Sequence, residues 1–228
     1  MSRITSTFSV AGRCEKTGAL GAIVTSSSPS VGARCPFVKA NTGVVLTQNV
    51  TDPRLATLGL TAFEAGYTAT SVIQAMASAT PYPEYRQLGA LSAKGDSSAH
   101  TGSKALGTHA HDTNENVVAL GNLLSNESIP QSMAKTFLES EGALPDRLLA
   151  AISNGFDLGG ELDQERSIAL IVYKDQIFPY IDLRVDYSDN PLQDLKDLWT
   201  IYEPQADDYE TRAITPETAP SYGVQGDL

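Results

Sequence analysis

Long apolar runs are missing from this sequence of 228 residues; the longest, such as Ile168 to Tyr173, fall far short of a bilayer-spanning helix, so no membrane partner is expected. Basic residues are scarce beside acidic ones: sixteen Lys plus Arg against twenty-seven Asp plus Glu give a formal charge of −11. A surface of that sign repels a phosphate backbone, which argues against nucleic acid. Only two cysteines occur, Cys14 and Cys35, twenty-one positions apart and outside any Cys-x-x-Cys pattern, which excludes a disulfide framework. The N-terminus lacks the apolar stretch of a signal peptide, so the expected address is cytoplasmic. Gly-x-Gly-x-x-Gly, the phosphate-loop lysine motif, Gly-x-Ser-x-Gly and His-Glu-x-x-His are all absent, and no cofactor is expected.

What is present suffices for a packed core: 41% hydrophobic and 19% charged residues. Residues 7–13 and 19–28 alternate small and apolar side chains around Glu15-Lys16-Thr17-Gly18, which predicts a β-hairpin. A strand follows at 43–48. Thr51-Asp52-Pro53 then caps a helix to Gly66, and Thr68 opens a second with Val72, Ile73 and Met76 on one face. Strands are predicted at 86–92, 97–102 and 116–124, helices at 128–142 and 144–154, and a hairpin at 166–173 and 177–185. Asn190-Pro191 launches a last helix with the stripe Leu192, Leu195, Trp199 and Tyr202.

Blocks of hairpin-linked strands separated by helix pairs do not fit a parallel doubly wound sheet. They predict an α+β fold, a four-layer αββα sandwich of two antiparallel sheets between helical layers. Residues 1–202 form one such domain in this reading, and the acidic, Pro-containing segment 203–228 a C-terminal tail. A symmetric homodimer is the default oligomer at this size.

Four constellations bear on chemistry. His100, His109 and His111 fall within twelve residues, open to metal ligation, to a pocket role or to plain solvation in a polar loop; His-x-His-Asp without a downstream ligand at fixed spacing does not define a metal site. The first strand is rich in hydroxyls, including Thr5, Ser6, Thr7 and Ser9, and a Thr or Ser at a free N-terminus can use its own α-amine as base; these residue types are also ordinary in strands. Polar residues stand at strand ends: Ser26 to Ser28, Gln48 with Asn49, and Asn122. They suit oxyanion donation or turn formation. Asp182, Arg184 and Asp186 share one face of a strand as an ion ladder or a substrate clamp.

Thr7-Phe8-Ser9, Glu15 to Gly21, Gly43-Val44-Val45 with Thr47-Gln48, Asp52-Pro53, Arg86-Gln87, Thr101-Gly102, His109, Gly121-Asn122, Gly159-Gly160, Ser167 and Asp182 to Asp186 follow the order and spacing of a bacterial and archaeal family. Across residues 7–202 the chain resembles domain-of-unknown-function family 1028, and through it the N-terminal-nucleophile (Ntn) hydrolases. The resemblance implies the same αββα sandwich and a hydrolase of C–N amide bonds in small molecules. Its implied nucleophile is Thr7; the leading expectation adds Gln48 or Asn122 on the oxyanion and His109 in proton transfer, with Ser26, Arg184 and Glu161 binding substrate.

The chain departs from the family's pattern in three places. Six residues precede Thr7, so the Ser6–Thr7 bond must open before the amine is free. Leu120 stands where many relatives have glutamine, and Glu161-Leu162-Asp163 with Arg166 stands where many have a Gly-Gly-Asp segment and a glutamine before serine. A non-catalytic protein that binds a metabolite or serves as an assembly unit is the alternative, and a histidine-cluster metal site a third.

Overall fold

The computed structural model describes residues 6–223. The chain runs β1 (Thr7–Arg13), β2 (Leu20–Ser26), β3 (Pro36–Lys39), β4 (Gly43–Asn49), α1 (Pro53–Glu64), α2 (Ala69–Ser78), β5 (Arg86–Ser92), β6 (Ser97–Thr101), β7 (Ala110–Asn114), β8 (Val117–Asn122), α3 (Ile129–Glu139), α4 (Leu144–Asp157), β9 (Ser167–Tyr173), β10 (Ile181–Val185) and α5 (Pro191–Ile214). One sheet has the order β10-β9-β2-β1-β8-β7 and the other β3-β4-β5-β6. All pairings are antiparallel.

Period-2 alternation explains the layers. Along β1, Phe8 and Val10 point outward into a core shared with Met133 and Phe137 of α3, Leu148 and Ile152 of α4, and Leu195 and Trp199 of α5. Ala11 points inward, where it meets Leu20, Val44, Leu46, Leu91, Val118 and Leu120 between the sheets. The outward residues Val45, Leu88 and Ala90 of the smaller sheet pack under α1 and α2. The result is the αββα sandwich expected from the periodicity. Gly12 is required here for space: an added Cβ would sit 2.4 Å from the ring of Phe137. Gly18 takes φ +75° in the β1–β2 turn, as a hairpin of this kind demands.

Several elements differ from the sequence-based expectation. β7 lies within what reads as a polar loop, because an edge strand with Ala110, Asp112 and Asn114 lacks the apolar alternation that marks inner strands. β10 starts at Ile181 instead of 177, after Phe178-Pro179. The tail expected from residue 203 begins later, since α5 continues to Ile214 with Pro204 inside it. Pro204 is exposed, so the carbonyl it strands one turn back meets solvent. The acidic residues of this stretch are anchored: Lys174 bonds Asp207 Oδ1 at 2.8 Å and Glu210 Oε2 at 3.2 Å, Tyr202 stacks on Tyr209, and Ala206 is buried. Among the described residues no helix is long and apolar enough to cross a membrane.

Candidate active site

Thr7 begins the central strand β1, and the antiparallel register sets it opposite Ser26 at the end of β2 and Asn122 at the end of β8. At this end the inward positions turn polar. Ser9, Gln48, Gln87 and Asn122 carry on the inward phase of Ala11, Leu46, Leu91 and Leu120, and all four are fully buried. They bond to one another: Ser9 Oγ donates to Gln48 Oε1 (2.6 Å), Gln48 Nε2 to Gln87 Oε1 (2.8 Å), and Asn122 Nδ2 to the same Gln87 oxygen (3.2 Å), while Asn122 Oδ1 is left without a partner. Gln87 Nε2 donates in turn to the carbonyls of Gly121 (2.9 Å) and Ala110 (3.2 Å) in the opposite sheet. Buried amides of this kind persist only when so partnered.

Thr7 is 5% exposed. Its hydroxyl donates to the carbonyl oxygen of Ser6 at 2.7 Å, and the same oxygen accepts from Ser26 Oγ at 2.5 Å. Ser26 Oγ also contacts Ser28 Oγ (2.8 Å), which accepts from the Arg34 guanidinium. A cation, two hydroxyls and one peptide carbonyl are thus chained together, an arrangement that draws electron density toward that oxygen. The amides of Gln48 and Asn122 reach the carbonyl of Thr7 itself, at 3.4 and 3.3 Å. They hold the residue in place from behind rather than standing at the Ser6 oxygen.

Glu161 joins from the loop before β9. It is 6% exposed and accepts from the Ser27 backbone N–H at 2.8 Å through Oε2, while Oε1 is buried without a hydrogen-bond partner. Burial pushes its carboxyl well above the usual carboxylate range, and the charge of nearby Glu165 adds to the effect. Glu165, itself raised by burial, accepts from the Glu161 backbone N–H at 2.9 Å.

Of the residues singled out in the sequence, Thr7, Ser26, Gln48, Asn122 and Glu161 gather at this end of the sandwich. His109 borders them, one residue before Ala110, which pairs with Gly121; Arg184 does not join them. His109 is exposed, with Nδ1 on the Gly107 carbonyl at 2.8 Å. Arg184 lies on β10, three strands from β1, in a bidentate pair with Asp182 at 2.7 and 2.9 Å. The other histidines bond separately, His100 to the Pro83 carbonyl and His111 to Thr101 Oγ1. Among the described residues no three His, Cys, Asp or Glu side chains are grouped to hold a metal. Gln87 and Ser6 were not anticipated as site residues; the inward phase Gln87, Gly89, Leu91 along β5 is the signal that marks the first.

The model of a family of unknown function, DUF1028, matches residues 7–195. The chain belongs to this family. A Silicibacter pomeroyi member known from its crystal structure is 27% identical, with a TM-score of 0.80 over 86% of this chain and 89% of its own. Anbu, the ancestral beta-subunit, from Yersinia bercovieri is 10% identical over 90% of this chain and 97% of its own, with a TM-score of 0.38, too distant to bear on function. No curated protein matches the chain. Family membership accounts for the order of motifs from Thr7 to Asp186 without assigning them a role.

Proposed function

We propose that the protein hydrolyses a C–N amide bond of a small molecule, with the Thr7 hydroxyl as nucleophile after the Ser6–Thr7 bond has opened. The supporting observation is the packing of two hydroxyls around one peptide carbonyl: Thr7 Oγ1 at 2.7 Å and Ser26 Oγ at 2.5 Å from the Ser6 oxygen, backed by Ser28 and Arg34. In the opening step Oγ1 attacks the Ser6 carbonyl carbon, Ser26 donates to the developing oxyanion, and the hydroxyl proton passes to the Thr7 nitrogen as the C–N bond breaks. Water hydrolyses the resulting ester, which releases the Ser6 carboxylate and leaves Thr7 with a free amine and hydroxyl. On substrate the amine takes the hydroxyl proton and returns it to the leaving amine, and water again resolves the acyl ester. Gln48 and Asn122 keep Thr7 in register. His109 has no part in this scheme.

Intact-mass measurement of active protein tests the reading: the expected chain starts at Thr7. Full amide hydrolysis by a chain that retains Ser6 overturns it.

A second reading, a non-catalytic binding or assembly protein of the same fold, draws on an apolar groove between Phe178, Pro179 and Tyr180 and the Tyr202, Ala206 and Tyr209 face of α5, a helix on which Ile201 is also exposed. It gains if light scattering gives a dimer that Ile201→Glu dissociates, while Thr7→Ala leaves metabolite-induced thermal stabilisation unchanged. A small-molecule ligand and a cytoplasmic address accompany either reading.

A further inference from the structure

Ser6 occupies the acyl side of the bond that Thr7 would attack, so its surroundings show what an acyl group must look like to fit there. Its carbonyl lies between the hydroxyls of Thr7 and Ser26. Its nitrogen donates to Ser27 Oγ at 3.1 Å, and the backbone N–H of that same serine donates to Glu161 Oε2 at 2.8 Å. Ser6 is fully buried, and its hydroxyl lies near enough to Glu161 to favour the ionised carboxylate, yet both Ser6 Oγ and Glu161 Oε1 lack hydrogen-bond partners.

A carboxyl group nine-tenths buried with one oxygen unmatched is costly unless a donor or a cation meets it. In the chain it faces neutral donors and a second carboxyl, Glu165; among the described residues no ion pair includes it. The peptide nitrogen of Ser6 is neutral. A free α-ammonium held beside Ser27 would bring the missing charge.

We infer that Glu161 and Ser27 form the acyl-side subsite, and that the substrates are amides of small α-amino acids carrying a free α-amino group. The inference rests on the hydrolase reading above. Release of the segment ending at Ser6 uncovers Ser27 Oγ and Glu161. The substrate α-ammonium then donates to both while its carbonyl takes the position of the Ser6 carbonyl against Ser26. Thr7 Oγ1 forms the ester, the amine product departs with the transferred proton, and water restores the hydroxyl and releases the free amino acid. The Ser6 side chain is fully enclosed, which selects glycyl, alanyl and seryl amides over larger ones.

The experiment compares L-alaninamide with N-acetyl-L-alaninamide and propionamide on the full-length protein as purified, with the first residue of the active chain read by intact mass. The expected kcat/KM for alaninamide exceeds each of the other two at least 100-fold. Glu161→Gln narrows that gap at least tenfold, through a raised KM. Comparable rates on propionamide or the N-acetyl compound overturn the subsite and leave the hydrolase standing. So does a Glu161→Gln protein that keeps the full discrimination. Should that variant fail to fold, the wild-type ratio alone decides. A protein that hydrolyses none of the three overturns the hydrolase reading itself, and the subsite with it.

Discussion

The two ends of β1 differ in kind. At Arg13 and Cys14 a cavity of about 760 Å³ opens between the hairpin, α4 and α5, lined by Thr17, Leu144, Trp199 and Lys174. At Thr7 the chain is closed over: Ser6 is fully buried and Thr7 nearly so. Volume and chemistry therefore part company. The open end offers room but a lysine committed to Asp207 and Glu210, whereas the filled end gathers a hydroxyl, a polarised carbonyl, an amide network and a strained carboxyl equilibrium. A site that must be uncovered before use is invisible as a cavity, and its contents are read from the group that covers it.

The largest expected effect falls at the filled end. Thr7→Ala is expected to abolish opening of the Ser6 bond and to lower amide hydrolysis at least about a thousandfold, as loss of a nucleophile does, while substitutions around the open cavity such as Trp199→Phe leave turnover within about twofold. Product assays on both variants check this, and a Trp199→Phe protein as inactive as Thr7→Ala would reverse the comparison. Next, Gln48→Leu strands the Ser9 hydroxyl in the interior and leaves Gln87 Oε1 with Asn122 as its one donor, for an expected loss of about 1–3 kcal/mol in a urea titration.

Glu161→Gln has an effect whose sign depends on pH. Burial makes the folded chain hold the Glu161 proton more tightly than the unfolded chain does, so its contribution to stability is full below the ordinary carboxyl range and is lost as pH rises through the raised folded value. The glutamine carries no such loss. Urea midpoints of variant and wild type are expected to match near pH 4 and to diverge in the variant's favour by pH 8; parallel curves would mean that the carboxyl is not held protonated. The smallest effect belongs to Arg184→Ala, which removes a mostly exposed ion pair and is expected to cost less than about 1 kcal/mol with kinetics unchanged.

Much of this was legible in the residues. Alternation through Phe8, Val10 and Ala11 placed β1, and Asp52-Pro53 placed the start of α1, where Asp52 accepts from the Arg54 backbone N–H. The strand-end polar residues Ser26, Gln48 and Asn122 marked one end of the sandwich because a polar residue at an inward phase needs partners from elsewhere. Edge elements escaped: β3 is four residues long, too short for the alternation of buried Pro36 and Val38 to stand out, and β7 is polar on both faces. The second half of α5 escaped for a related reason. Its residues are held by Lys174 and Tyr180 from β9 and the turn after it, which composition does not reveal. Clustering of His100, His109 and His111 in sequence did not reveal that their rings bond separately, to Pro83, Gly107 and Thr101.

The amide of Gln87 has one more consequence. It crosses from the smaller sheet to carbonyls of the larger, while at the other end Arg13 Nε donates to the Ala93 carbonyl at 2.7 Å and the Asn116 backbone N–H to the Gly95 carbonyl at 2.8 Å. Two sheets that share no ladder are clasped at both ends. Hydrogen exchange in β4 and β5 should therefore slow in step with β1 and β8, as one cooperative unit, and breathing motions should part the strands lengthwise at their tips before they part the layers.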